Sequence, residues 1–464
     1  MMIPLVSSFA ELTLSLVTVF TQPSFQNFLT LLAGWVFCMG RHTVTGLIVA
    51  AGAVETKHFS CFHRFFSRAV WNFDSLGSVV LKLALRFVPE GEPVLLAVDD
   101  TLGRKTGRHI WGAGMHHDPL RSTPVRPVFS FGHSWVVLSI IVPLPCVKHR
   151  FFAIPILFRL YRRKAKQRPP GRPNGERKST GEATPDEHRT RPELAVEMLA
   201  IVAEWLNGRR LRVVGDSEYS GKSISRKLPE TADLVGRMPM DAALYAEPPA
   251  RRPGRTGRPR KKGERLPNPA GLAKSRKVSW VKVRVAIYGR KVRVWYKSVR
   301  ALWYNSAGAR LLSIVVVHDP SGKRRDDCFF TTDLSMKPTG IVETISNRWA
   351  LEVTFRDAKQ SLGFEEPQSR TRKAVERTAP MAFVLYGLTV LWYAEHGEAL
   401  REKWFVKRPW YRKKRGASFA DMLATLRQAS WAEANSLDPA NRPGSGKTTR
   451  ERILQLQTWL LAAG

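Results

Sequence analysis

Cysteine is scarce in this chain: there are four, at Cys38, Cys61, Cys146 and Cys328, widely scattered and with no CxxC pair. That excludes a zinc ribbon and a disulfide scaffold, and the four are expected as reduced thiols, mostly core. Long apolar runs are also missing. Residues 28–40 and 43–54 are apolar, but Arg41-His42 divides them, and each is shorter than the ~20 residues that span a bilayer. The first twenty residues are apolar too, yet they contain Glu11 and lack a basic leader, so buried helices are expected rather than a secretory signal. Acidic residues are few: 39 Asp+Glu face 74 Lys+Arg, a net charge of +35. An excess of this size calls for a polyanionic partner, nucleic acid before an anionic membrane surface. A cytoplasmic, nucleoid-associated protein without a membrane segment is expected.

What the chain does have, over 464 residues with 44% hydrophobic content, is material for several domains and a sizeable core. Its most telling stretch is residues 346–363, where Arg348, Glu352 and Lys359 stand at R-(3)-E-(6)-K spacing. At 3.6 residues per turn the three share a helix face. Leu351, Phe355, Ala358 and Leu362 form a separate apolar seam, and Gly363 is a stop signal. Two further carboxylates follow apolar runs. Val94-Leu95-Leu96-Ala97-Val98 delivers Asp99-Asp100-Thr101, and Leu211-Arg212-Val213-Val214-Gly215 delivers Asp216-Ser217-Glu218-Tyr219. Each reads as a strand ending at a site. Asp100 competes with Asp99, and Glu218 with Asp216.

These three segments resemble the DDE transposases of bacterial insertion sequences, in particular the clade with a Y-R-E-K signature. Arg348, Glu352 and Lys359 match its R, E and K, while the tyrosine position holds Ile345. Asp99 matches the first aspartate of a D-x-T pattern, with Asp100 at x and Thr101 two residues on, and Asp216-Ser-x-Tyr the second. The resemblance implies an RNase H-like α/β catalytic core interrupted by an inserted β-rich domain, with helical regions at both ends. It implies that Asp99, Asp216 and Glu352 hold two Mg2+ ions, for which Mn2+ can substitute, and that Arg348 and Lys359 bind end-DNA phosphates. Hard cations take oxygen ligands, and a pair of them suits in-line displacement at phosphorus. The implied partners are the terminal inverted repeats and target DNA, with a homodimer assembling on DNA. The clade often places a tryptophan just ahead of the glutamate helix; here Asp327-Cys328-Phe329-Phe330 stands there. Two other readings stay open: an RNase H-like nuclease without strand transfer, and a catalytically silent DNA-binding protein derived from such an element.

The expected division is a helical DNA-binding region over 1–90, core over 91–240 and 336–400, a β-rich insertion with a basic arm over 241–335, and a helical region over 401–464. Helices at Thr43–Ala53 and His58–Val70 read either as a helix-turn-helix, with Arg64 and Arg68 facing DNA, or as a helical subdomain whose arginines are merely solvated. Strands are expected at Val94–Val98, His109–Gly114, Ser134–Pro143, Val213–Gly215 and Asp233–Met238, with a helix at Pro192–Leu206. Phe151–Tyr161 is strand or helix. Arg162–Thr190 reads as a loop. The arm Gly257-Arg258-Pro259-Arg260-Lys261-Lys262 looks like an AT-hook lying in the minor groove, or like a basic loop following phosphates. A hairpin follows, with Val281, Val283, Val285 and Ile287 on one face and Lys282 and Arg284 on the other, then strands at Arg310–His318 and Asp327–Thr331. Helices are expected at Met381–Tyr393, Ser418–Ala429 and Thr448–Ala462. Asn441 to Thr448 mimics a phosphate-binding loop, but no apolar strand precedes it.

Overall fold

A computed structural model describes residues 4–107, 109–164, 182–184, 187–250, 258–397, 399–400 and 416–437. Most of the loop expected over 162–190, part of the basic arm, the basic stretch 401–415, the phosphate-loop mimic and the last expected helix lie outside the described residues.

Five helices open the chain: α1 (Ser7–Leu14), α2 (Gln22–Phe37), α3 (Val44–Ala50), α4 (Phe59–Ser67) and α5 (Phe73–Leu85). The side chains of Thr43 and Asn72 accept from backbone N–H groups at the starts of α3 and α5, satisfying donors that a helix start leaves free. Phe20, Phe28, Phe65 and Trp71 pack ring against ring. Arg64 and Arg68 are exposed beside the buried Phe62, Phe65 and Phe66.

The sheet begins with β1 (Val94–Arg104), β2 (Gly114–His117), β3 (Phe129–Leu144) and β4 (Val147–Tyr161). Helix α6 (Arg191–Trp205) follows, started by a capping box in which Thr190 and Glu193 satisfy each other. Next come β5 (Leu211–Val214), β6 (Ala232–Met238), the hairpin β7 (Val281–Ile287) and β8 (Arg290–Leu302), then β9 (Leu311–His318) and β10 (Asp327–Thr331). Around β1 the order is β4-β3-β1-β5-β6. The β1–β3 and β3–β4 pairs are antiparallel, whereas β1–β5 and β5–β6 are parallel. β10 then pairs with β6, so the strands from 281 to 331 continue the same sheet edge to edge.

Two sequence-based expectations about strands need correction. β1 does not stop at Val98, because β3 is long enough to pair with it as far as Arg104, opposite Gly132. His109–Gly114 is not a strand: Gly112 takes φ +77°, which turns the chain, and extended structure starts only at Gly114. Phe151–Tyr161 is resolved as strand.

Helices α7 (Pro338–Asn347) and α8 (Trp349–Ser361) replace the single helix expected over 346–363. The break falls at Arg348 and lets α7 lie on the hairpin and β10 while α8 packs on β4 and the long helix α9 (Arg372–Trp392). Leu351, Ala358 and Leu362 are fully buried and Phe355 nearly so, as the apolar seam predicts. Gly363 ends the run at φ +61°. The apolar helix expected from Met381 begins nine residues earlier at Arg372, and α10 (Phe419–Leu437) closes the described chain. Cys38, Cys61 and Cys328 are free thiols. Among the described residues no helix is long and apolar enough to cross a membrane.

Candidate active site

Asp99 sits in mid-strand, two residues beyond the stretch where β1 runs parallel to β5. Asp216 lies just past the end of β5, where its carboxylate accepts from the backbone N–H groups of Glu218 (2.9 Å) and Tyr219 (3.3 Å). This local turn fixes the side chain at the strand's carboxyl end. Gly215 is required there, because a Cβ would stand 2.6 Å from Tyr219 Cβ.

Arg348 joins the helix junction to the sheet. Its guanidinium donates to Asp99 through Nη1 and to Glu352 through Nη2, the latter at 2.7 Å. Asp99 is 15% exposed at the side chain and Glu352 32%. Burial pushes the Asp99 carboxyl up to about 7; Arg348 opposes the rise, and the nearby charges of Asp216 and Asp100 add to it. Burial disfavours the Arg348 charge, but Asp99, Glu352 and Asp216 outweigh it and hold the guanidinium more basic than usual. Asp99, Asp216, Arg348 and Glu352 therefore form one electrostatic unit.

Asp100 points to the other face of β1. Tyr219 Oη donates to it at 3.2 Å, and Arg191, the first residue of α6, lies 3.3 Å away. Arg191 also reaches Glu218 at 3.5 Å. Thus the two competitors from the sequence, Asp100 and Glu218, share one arginine on the opposite side of the strand from Arg348. Arg191 carries no local sequence signal for this role; Tyr219 was visible as the last residue of Asp-Ser-x-Tyr.

Lys359 shares the Glu352 side of α8, but its Nζ donates to the Leu102 carbonyl at 2.8 Å and lies 3.9 Å from Glu365. Burial lowers its pKa, while Glu365 counteracts. Lys105 is more deeply buried and donates to the carbonyls of Glu365 (2.8 Å) and Pro367 (2.9 Å). Together they fasten the turn after α8 to the far half of β1.

A cleft of about 1030 Å³ opens beside Asp216 and Arg348. Arg237, Arg290, Lys323, Arg324 and Arg325 line it with the aromatic Tyr288 and Trp349. None of these cations was singled out by spacing. Arg64 lies on α4 and Arg68 caps its end, and Arg258, Arg260, Lys261 and Lys262 lie on the exposed arm, where Lys262 sits 4.0 Å over the Tyr245 ring. Neither group makes a described contact with the carboxylates.

The chain matches the family model for the DDE superfamily endonuclease over residues 15–299. It belongs to that family. The matched span contains Asp99 and Asp216 and stops before Glu352. A search of curated proteins found no match. Among solved structures the chain aligns with a piggyBac transposase in a cryo-EM synaptic complex with hairpin DNA, at 12% identity over 98% of this chain and 81% of that one, with a TM-score of 0.37. A likeness at that level carries no argument about this chain.

The donor set suits a hard divalent cation on its chemistry: Asp99 and Asp216 are close enough to repel, and Glu352 is held to Asp99 through a shared guanidinium. Among the described residues no group of three or more His, Cys, Asp or Glu is arranged to hold a metal; the Arg348 guanidinium stands between Asp99 and Glu352.

Proposed function

We propose that this DDE-family endonuclease is a transposase of insertion-sequence type, which binds terminal inverted repeats and cuts and rejoins DNA. The observation that carries the reading is that Arg348 joins Asp99 of a strand to Glu352 of a helix, while Asp216, just past the end of the neighbouring strand, is near enough for its charge to act on Asp99. The order β4-β3-β1-β5-β6 supports an RNase H-like core, with 241–335 as its insertion. The positive balance of the chain and the cation-lined cleft support DNA as the partner, held by two copies of the chain.

Asp99, Asp216 and Glu352 would hold divalent magnesium or manganese, whose charge activates an attacking oxygen and stabilises a leaving one. The chain's own groups supply the rest. Arg348 neutralises Asp99 and Glu352 and is placed to meet a phosphate entering the cleft. Arg237 and the run Lys323-Arg324-Arg325 give that phosphate backbone a cationic wall. Lys359 holds β1 against α8, so that Asp99 and Glu352 keep their separation. In this reading Arg64, Arg68, Arg258, Arg260, Lys261 and Lys262 carry DNA outside the cleft.

The test is incubation of the full chain with a supercoiled donor plasmid bearing the element's ends, target DNA and Mg2+. Joined products are expected. Cleavage without joining would favour a nuclease lacking strand transfer. No cleavage, with tight binding of the ends, would favour a silent DNA-binding descendant.

A further inference from the structure

The β7–β8 hairpin has two unlike faces. Ile287, Val292 and Val294 line the cleft beside Asp216 and Arg348. Side chains alternate along a strand, so Lys282, Arg284, Lys291 and Arg293 project from the opposite side of the ribbon, and all four are exposed. Their register is informative. Arg284 stands directly across from Arg293, Ala286 from Lys291, and Lys282 from Trp295. Like charges directly opposite each other destabilise a strand pair. None of the four cations is in an ion pair among the described residues, and Lys282 rests 5.1 Å over the Trp295 ring.

Charge on a ribbon does protect its edges from pairing with other strands. Mixed acids and bases would give that protection without self-repulsion, whereas this face carries cations and no acid. The repulsion is relieved when a polyanion lies across it. An anionic lipid surface would offer the same sign of charge, but the ribbon is narrow and two-stranded, a shape that a DNA groove admits, and it adjoins the nucleic-acid cleft.

We propose that the outward face of this ribbon binds the phosphate backbone of a second DNA duplex, distinct from the one entering the cleft. The inference rests on the DNA reading above and extends it. The two faces look in opposite directions, so one chain would hold two DNA segments at once, as a joining reaction requires.

The test uses the full chain and a random-sequence duplex, with binding followed by fluorescence anisotropy over a salt series and stoichiometry measured at saturation. Replacing Lys282, Arg284, Lys291 and Arg293 together by Gln is expected to flatten the slope of log K against log salt by up to about 3.6, at roughly 0.9 per lost phosphate contact. Duplexes bound per chain should fall from two to one. The pairs Lys282→Gln with Lys291→Gln and Arg284→Gln with Arg293→Gln should each lose about half of that slope, and they keep the test alive if the fourfold variant misfolds. A steep wild-type slope unchanged in every variant, with unchanged stoichiometry, overturns this proposal and leaves the cleft reading intact. A wild-type slope near zero overturns both. Variant-sensitive binding to phosphatidylserine vesicles without any change in DNA binding overturns it in favour of a membrane surface.

Discussion

Arg348 donates to Asp99 on β1 and to Glu352 on its own helix with the two arms of one guanidinium. This contact ties the sheet to the junction between α7 and α8. Breaking a partly buried charged pair leaves carboxylates unscreened, so Arg348→Ala should lose about 1.5–3 kcal/mol of stability. Adding Mg2+ should restore part of the lost Tm, because a cation then supplies the missing charge. Thermal melts with and without Mg2+ check this; an unchanged Tm would show that the pairing is incidental.

Asp99→Ala, Asp216→Ala and Glu352→Ala should each abolish plasmid cleavage while leaving DNA binding in place. Asp100→Ala should retain measurable cleavage, because its carboxylate is engaged by Arg191 and Tyr219 on the other face of β1. Loss of cleavage in Asp100→Ala alone would move the site to the opposite face of the strand.

Lys105 gives a pH prediction. Burial lowers its pKa from 10.5 to about 8, with Glu365 and Glu366 opposing. Between these values the unfolded chain binds the extra proton, so stability from this group rises as pH rises through that window. The cost of burying the cation is fully present below about 8 and has gone near 10.5. Lys105→Met strands two carbonyls and should cost about 1–3 kcal/mol. Its Tm deficit against wild type should widen from pH 7.5 to 10; a constant deficit would contradict the buried-charge account.

Gly363→Ala should destabilise the end of α8. The residue has φ +61°, and a Cβ would stand 2.5 Å from Glu366 Oε2 and 2.6 Å from His42 Cβ. Strain of this kind costs on the order of 1–3 kcal/mol. A denaturant midpoint equal to that of wild type would rule out this close approach.

Lys359→Ala should slow cleavage at saturating DNA more than it weakens binding, and should also lower stability by about 1 kcal/mol, because the Leu102 carbonyl loses its donor. Full cleavage rates would reduce Lys359 to a structural tie.

The sequence by itself determined features that depend on near neighbours. The apolar seam of α8 and its glycine stop follow from a 3.6-residue period and a residue without Cβ. The two faces of the β7–β8 hairpin follow from a period of two. The apolar runs before Asp99 and Asp216 marked two strands of the sheet. Only the tertiary structure decided what each side chain meets. β1 outruns its apolar segment because β3, some thirty residues later, pairs with the polar half as well. The helix breaks at Arg348, whose guanidinium joins a strand 249 residues away. Arg191 and the cations of the cleft come from elements with no shared local period. Pairing register and ion-pair choice are set by distant partners, and those partners are fixed only when the chain packs.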